Sequence, residues 1–574
     1  MSVAVSAVPT KAAWRMGENA PHATLLVAIS LLTGLPLLFM VFGSLWSAAP
    51  GAPDGHLTLA GWREVLGSAD LWRALGNTLL LGTATAVVSA VIGTALAFLF
   101  ARVDLPGARL WESLLTISLY LSPFMLTLAW VGLAGPQAGF VNVLWKNLGG
   151  SGTLLNAYSF PCMVWVLASH YVPYVFLSLL GPLRAIDSSL EEASLVLGGG
   201  RVRGFFKITL PLIFPAIFAS GIMVTILAAE NFAVPTLLGR TQNFQTIPSE
   251  IYLWLSYEPT RPGLAAVAGV ILLVMSLLGV VAYRRVIRNA SRFRTMTGKP
   301  KRIQPLALGK YRWPVSLALS AYLAASVVVP LGALFVGSLL KYITPNLKWS
   351  LFTLQQYERA LSGDNLTGLI NSVVLAVGTA TIVTLLGAAV SYSVTRSKGR
   401  GRTVMDYVSV AGAAVPGIVL GVGMLWAYVS MPLPIYGTIW ILLIAYVARF
   451  LAHGVRVCGS TLLHVSSEFE EAAQVLGSGL LSRLRRIVFP LIARGMASTW
   501  ILIFIFTLNE VSATVILYSP SNITLAVLAW QSLEMQGAMQ AFAFACLQTA
   551  MIFFALLVMR LVVGRVADPE AAYR

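Results

Sequence analysis

The chain has 574 residues, of which 57% are hydrophobic and only 11% charged, a balance that excludes an ordinary soluble domain and leaves no stretch for a separate catalytic one. A net charge of +17 would suit a nucleic-acid binder, but the positive residues stand mostly between apolar runs, which points to membrane lipid and away from nucleic acid. Cys162, Cys458 and Cys546 stand singly, with no CxxC pair and no histidine at ligand spacing, and read as buried small hydrophobes.

In chain order, a polar leader with Lys11 and Arg15 precedes an apolar run over residues 23–46. That run is too long for a signal-peptide core and predicts a retained first span. Further spans, each needing about 20 apolar residues, are predicted over 77–101, 110–133, 158–183, 212–238 and 262–283. A second set follows over 314–340, 370–395, 405–430, 437–457, 491–518 and 536–560. The expected fold is an all-α membrane protein of twelve transmembrane helices. Residues 1–283 are expected to form one membrane-spanning repeat, 284–313 a basic linker and 314–574 a second repeat.

Charge placement orients this array. With the N-terminus inside, the inner segments hold 28 Lys and Arg and the outer loops 8, the densest block being the linker from Arg284 to Arg312. The positive-inside rule puts both termini and the linker in the cytoplasm. Trp46, Trp145 and Trp313, near span ends, read as interfacial anchors.

The two sets of spans repeat one unit. Leu35-Pro36 with Gly43-Ser44-Leu45 returns as Val329-Pro330 with Gly337-Ser338-Leu339, and Asn77-Thr78 returns as Asn371-Ser372, at an offset of 294. Beyond a longer outer loop in the first half the offset falls to 279. Equal topology makes the repeats parallel, with a pseudo-twofold axis along the membrane normal.

Between the fourth and fifth spans, in a loop over 184–211, stand Glu191-Glu192-Ala193-Ser194, Gly198 and Leu210-Pro211. The corresponding loop, 458–490, holds Glu470-Glu471-Ala472-Ala473, Gly477 and Phe489-Pro490. In both, glycine follows the second glutamate by six residues and proline by nineteen. Good helix formers, a glycine for a sharp turn, a basic stretch and a proline at the membrane predict a short helix across the inner end of each half. Such an element presents side chains to a partner and passes rigid-body motion to the membrane.

These residues resemble the Glu-Ala-Ala loops of type I ABC importer permeases, and the resemblance covers both halves. It implies that each loop carries a coupling helix docking on an ATP-binding cassette subunit, with Glu192 and Glu471 as the motif acid, Gly198 and Gly477 as its glycine, and Pro211 and Pro490 as its closing proline. The first copy departs by having Ser194 where the second has Ala473. The sequence has no GxxxxGK[ST] phosphate loop, so ATP is expected to be used by partner subunits, with no cofactor bound by this chain. HExxH and GxSxG are absent as well, so no enzymatic activity is expected. An extracytoplasmic substrate-binding protein is the other implied partner, and the bacterial inner membrane the implied location.

Polar groups at bilayer depth are candidates for a translocation path or gate. At offset 279, His170 matches Arg449, Tyr174 matches His453, and Glu230-Asn231 matches Asn509-Glu510. They are expected to face the interior between the halves, where Glu230 or Glu510 would partner Arg449; interhelical bonding is the competing role. His170 and His453 lack a cluster of carboxylates, so no metal site is expected. The phrases around Glu230 and Glu510 resemble the ferric-iron permease group, which makes ferric iron the expected cargo, ahead of 2-aminoethylphosphonate, thiamine or a polyamine. A proton-coupled secondary transporter is the different-class alternative, and it would need no matched docking loops.

Overall fold

The computed structural model describes residues 11–186, 200–290, 309–342, 348–396, 401–535 and 537–566. Ten helices among them are long and apolar enough to span a bilayer: His22–Ser44, Ala69–Arg102, Phe160–Ala185, Phe205–Ala229, Pro262–Arg288, Gly309–Ser338, Gly363–Arg396, Ile439–Leu462, Leu480–Leu508 and Ala538–Leu561. Two bent helix pairs pass the same test together, which brings the count to twelve when each pair is taken as one span. The second and eighth spans, over residues 69–102 and 363–396, coincide at the offset of 294 read from the sequence.

The third and ninth spans are not the straight helices expected over 110–133 and 405–430. Ala108–Tyr120 meets Pro123–Ala134 at 98°, and Gly401–Ala414 meets Gly417–Ser430 at 106°. A proline disfavours helical backbone in the residue before it. Ser122 accordingly lies at ψ 138°, its hydroxyl accepting from the Phe124 amide at 3.2 Å, while Val415 lies at ψ 115° ahead of Pro416. The fifth and eleventh spans are also shorter than expected over 212–238 and 491–518. They stop at Ala229 and Leu508, and short helices Ala233–Leu238 and Thr514–Leu517 follow after a break.

Proline does not always break a helix here. Pro211, Pro330 and Pro490 each follow a wide π turn, over Phe205–Thr209, Ala324–Val328 and Leu484–Val488, that ends two residues earlier. The extra backbone residue makes room for the ring and the missing N–H, so the rod continues through the proline. Pro211 and Pro490 therefore sit inside the long helices Phe205–Ala229 and Leu480–Leu508, not at their outset.

The halves interlock. The first span packs between the sixth and the bent ninth, and the seventh packs between the twelfth and the bent third, so each half gives its leading helix to the other. Small residues permit the approach: a Cβ on Gly43 would meet the Trp426 ring, one on Gly423 the Pro36 backbone, and one on Gly337 the Phe542 ring. Trp426 is fully buried and donates from Nε1 to the Pro262 carbonyl at 3.3 Å. One apolar core joins Met40, Phe124 and Phe232 of the first half with Trp426, Trp530 and Phe542 of the second.

Candidate functional site

Two regions carry the residues singled out above. The first is the loop after the tenth span. Helix Glu468–Val475 opens with three acids, Glu468, Glu470 and Glu471, at the end where the helix dipole favours negative charge. It closes at Gly477, whose φ of 80° is costly for any residue with a Cβ. Ala472 lies within the helix, and Pro490 follows in the rod that returns to the membrane.

The two acids divide their work. Glu470 is buried, accepts from the Tyr392 hydroxyl at 2.7 Å and pairs with Arg396 Nε at 3.0 Å. Arg396 also donates to the Val465 carbonyl at 2.6 Å. The short helix is thereby tied to the inner end of the eighth span. Glu471, the motif acid, is exposed, and so are Phe469, Val475 and Leu476, the last two at 88% and 86%. Val475 and Leu476 thus make no core contact; they form an apolar surface with charge beside it.

Glu191, Glu192, Ala193 and Gly198 lie outside the described residues. The frame on either side repeats that of the second half. Arg102, at the position of Arg396, is buried and donates to the Ile186 carbonyl at 3.0 Å, as Arg396 does to Val465.

The second region is a cavity of about 150 Å³ on the seam between the halves, lined among others by His170, Glu230, Asn231, Arg449, Asn509 and Glu510. Six of the seven residues expected on the path thus converge on one space. It forms where the bent third span meets the breaks that end the fifth and eleventh. A break inside a membrane protein strands backbone carbonyls that must find donors. His170 Nδ1 lies 3.0 Å from the Ser118 carbonyl, which can only accept, so the ring proton sits on Nδ1. Asn509 donates to the Tyr120 carbonyl at 2.9 Å, a contact between the halves.

Asn231 and Glu510 are equivalent and do the same local work. The Asn231 side-chain oxygen accepts from the Val234 amide at 3.0 Å, and Glu510 accepts from the Ala513 amide at 2.9 Å. Glu510 has a second oxygen, and this one pairs with Arg449 Nε at 2.8 Å. Of the two candidates for Arg449's partner, Glu510 holds it. The guanidinium lies over Gly417 at the bend of the ninth span, where a Cβ would collide with it. Among the described residues its buried Nη1 has no hydrogen-bond partner. Glu230 faces the same cavity and has no hydrogen-bond or ion-pair partner among the described residues.

His453 stands apart. One turn beyond Arg449 toward the linker end, it contacts the rings of Phe450 and Phe506 and is exposed. Phe124 lines the cavity and packs with Phe232, Tyr252 and Trp530 in tilted or edge-on contacts with ring centroids 4.7 to 5.8 Å apart, all buried, and Trp530 Nε1 donates to the Tyr252 hydroxyl at 3.0 Å. Among the described residues no group of three or more His, Cys, Asp or Glu could hold a metal ion.

Sequence reading missed the stacked aromatics, the Tyr392–Arg396 anchor and the exposed backbone at the bends. The bends had a visible signal in Ser122-Pro123 and Val415-Pro416, each set in the middle of an apolar run.

Residues 90–292 and 384–568 match the family of binding-protein-dependent transport system inner membrane components. The chain is 28% identical over 463 residues to the ferric transport system permease protein of Actinobacillus pleuropneumoniae, covering 79% of this chain and 66% of that one. It is 22% identical over 514 residues to an Fe(3+)-transport system permease protein of Haemophilus influenzae, covering 88% and 91%. A putative 2-aminoethylphosphonate transport system permease protein of Salmonella typhi is 28% identical over 176 residues, 31% of this chain and 67% of that one.

Proposed function

The chain belongs to the inner-membrane components of binding-protein-dependent transport systems, and from that premise we propose that it forms by itself the whole pore of an ATP-driven importer of ferric iron. Both repeats lie in one polypeptide, each with the Glu-Ala-Ala loop at the same place, and this is the observation that carries the reading. Two ATP-binding cassette subunits would dock on the linker side, which the charge asymmetry makes cytoplasmic together with both termini. An extracytoplasmic binding protein would deliver cargo at the opposite end.

The exposed Val475 and Leu476 are the contact surface for an ATPase subunit, Glu471 its charged edge, and Glu470 the anchor that carries motion into the eighth span. Closure of the ATPase pair moves both loops together and switches access to the cavity. The packed aromatics Phe124, Phe232, Tyr252 and Trp530 would form the barrier on the binding-protein side, and His453 would lie on the path toward the linker end. Glu230 is the group placed to meet cargo in transit, being a cavity carboxylate that forms no hydrogen bond or salt bridge among the described residues, with Arg449 and Glu510 near enough to act on its charge.

Ferric iron is favoured as cargo because relatives aligned over 79% and 88% of this chain carry that name. 2-Aminoethylphosphonate is the second reading, supported by a relative aligned over a shorter stretch. Co-reconstituting the permease with its ATPase and binding protein, then asking which ligand stimulates ATP hydrolysis, decides the cargo. Ferric iron is expected to stimulate, and stimulation by 2-aminoethylphosphonate, thiamine or a polyamine alone would refute the iron reading. Uptake driven by a proton gradient without any ATPase would refute the importer reading as a whole.

A further inference from the structure

The linker end of the molecule holds a second hollow, of about 520 Å³, lined in part by Arg284, Arg402, Thr403, Asp406, Tyr407 and Arg456. Its arginines come from three separate helices and from both halves: the sixth span gives Arg284, the first arm of the bent ninth span gives Arg402, and the tenth span gives Arg456. Three guanidinium groups face one carboxylate. Among the described residues none of the three forms an ion pair or a side-chain hydrogen bond, and their one recorded contact is Arg284 over the Tyr407 ring at 6.0 Å.

Topogenic arginines of the positive-inside kind are ordinarily spread over loops in water. Three converging on one hollow with a single carboxylate, Asp406, leave a net positive charge that favours a bound anion. The guanidinium fork matches the oxygens of a phosphate, and the hollow opens at the first turn of helix Gly401–Ala411, the end of the helix dipole that favours negative charge. Tyr407, exposed and aromatic, suits a position at headgroup depth.

We propose that Arg284, Arg402 and Arg456 form a binding site for a phosphate-type oxyanion at the cytoplasmic seam between the halves. The anion has two possible sources, the headgroup of an anionic phospholipid and free phosphate. Arg456 shares a helix face with Arg449 and His453, at spacings of seven and three residues, so an anion held there stands on the route from the central cavity to the cytoplasm. The site does not depend on what the cargo is.

The full chain, reconstituted in nanodiscs of phosphatidylcholine with or without phosphatidylglycerol, provides the test. Lipid retained through native mass spectrometry reads the headgroup source, and phosphorus NMR titration with inorganic phosphate in discs free of anionic lipid reads the other. The wild type is expected to retain phosphatidylglycerol or bind phosphate, and Arg402→Gln with Arg456→Gln to weaken that binding tenfold or more. Arg312→Gln, at an exposed residue of the same end, should change nothing. Retention of lipid that phosphate cannot displace assigns the headgroup, and phosphate binding that displaces lipid assigns the free anion. Absence of both, or equal weakening by Arg312→Gln, overturns the proposal. All four arginines are exposed, and unchanged thermal unfolding of each variant separates loss of the site from loss of the fold.

Discussion

At offset 279 the two halves carry the same pair of polar side chains in reversed order, Glu230-Asn231 in the first and Asn509-Glu510 in the second. The reversal is small on paper and large in chemistry. Asn509 can donate, and gives its N–H to the Tyr120 carbonyl stranded by the bend of the third span. Glu230, at the equivalent place, gives no such hydrogen bond to the other half among the described residues. One position further on, Asn231 caps without an ion pair, whereas Glu510 caps and also holds Arg449. The second half therefore spends its acid on structure, and the first leaves its acid free in the cavity. The lesson is that a repeat predicts positions, while the order of two residues decides which copy is scaffold and which is site.

The harshest way to break this comparison is Arg449→Ala, which leaves Glu510 buried and unpaired. Removing one partner of such a pair costs about 3–5 kcal/mol, and the purified permease should unfold at a clearly lower temperature or fail to assemble. Next comes Asn509→Asp, which sets an acceptor against the Tyr120 carbonyl. A loss of about 1–3 kcal/mol is expected, seen as a lower unfolding midpoint, and an unchanged midpoint would show that the contact between halves carries no load.

Glu230→Gln sharpens the contrast in the other direction. Its unfolding temperature should match wild type while uptake in the reconstituted system falls tenfold or more; a folding defect instead would make Glu230 a structural residue like its partner. The smallest expected effect lies in the coupling loop. Gly477→Ala must adopt φ near 80°, at a cost of about 1 kcal/mol. Stimulated ATP hydrolysis should drop more than overall stability, because the strain falls on the exposed docking helix.

Much of this was legible in sequence because hydrophobic length and repetition are strong signals. Spans, halves and the short helix of the second loop follow from them, and so does the convergence of six polar residues on one cavity. Other features depend on information a single pattern does not hold. Ser122-Pro123 hints at a bend, yet Pro173 and Pro215 sit in unbroken helices, so the outcome rests on whether neighbours satisfy the freed carbonyls, as His170 and Asn509 do. The choice of Glu470 over Glu471 as anchor was equally hidden, because it depends on Tyr392 and Arg396 some 70 residues upstream.

The exchange of leading helices between the halves has a consequence for stoichiometry. Each leading helix packs against its own half and against the other, so the two halves share one core. Two separate half-length chains with such interchangeable seams could pair with themselves, giving pores with two free glutamates or with two Arg–Glu locks. Joining the halves through one linker ensures that every pore receives one of each.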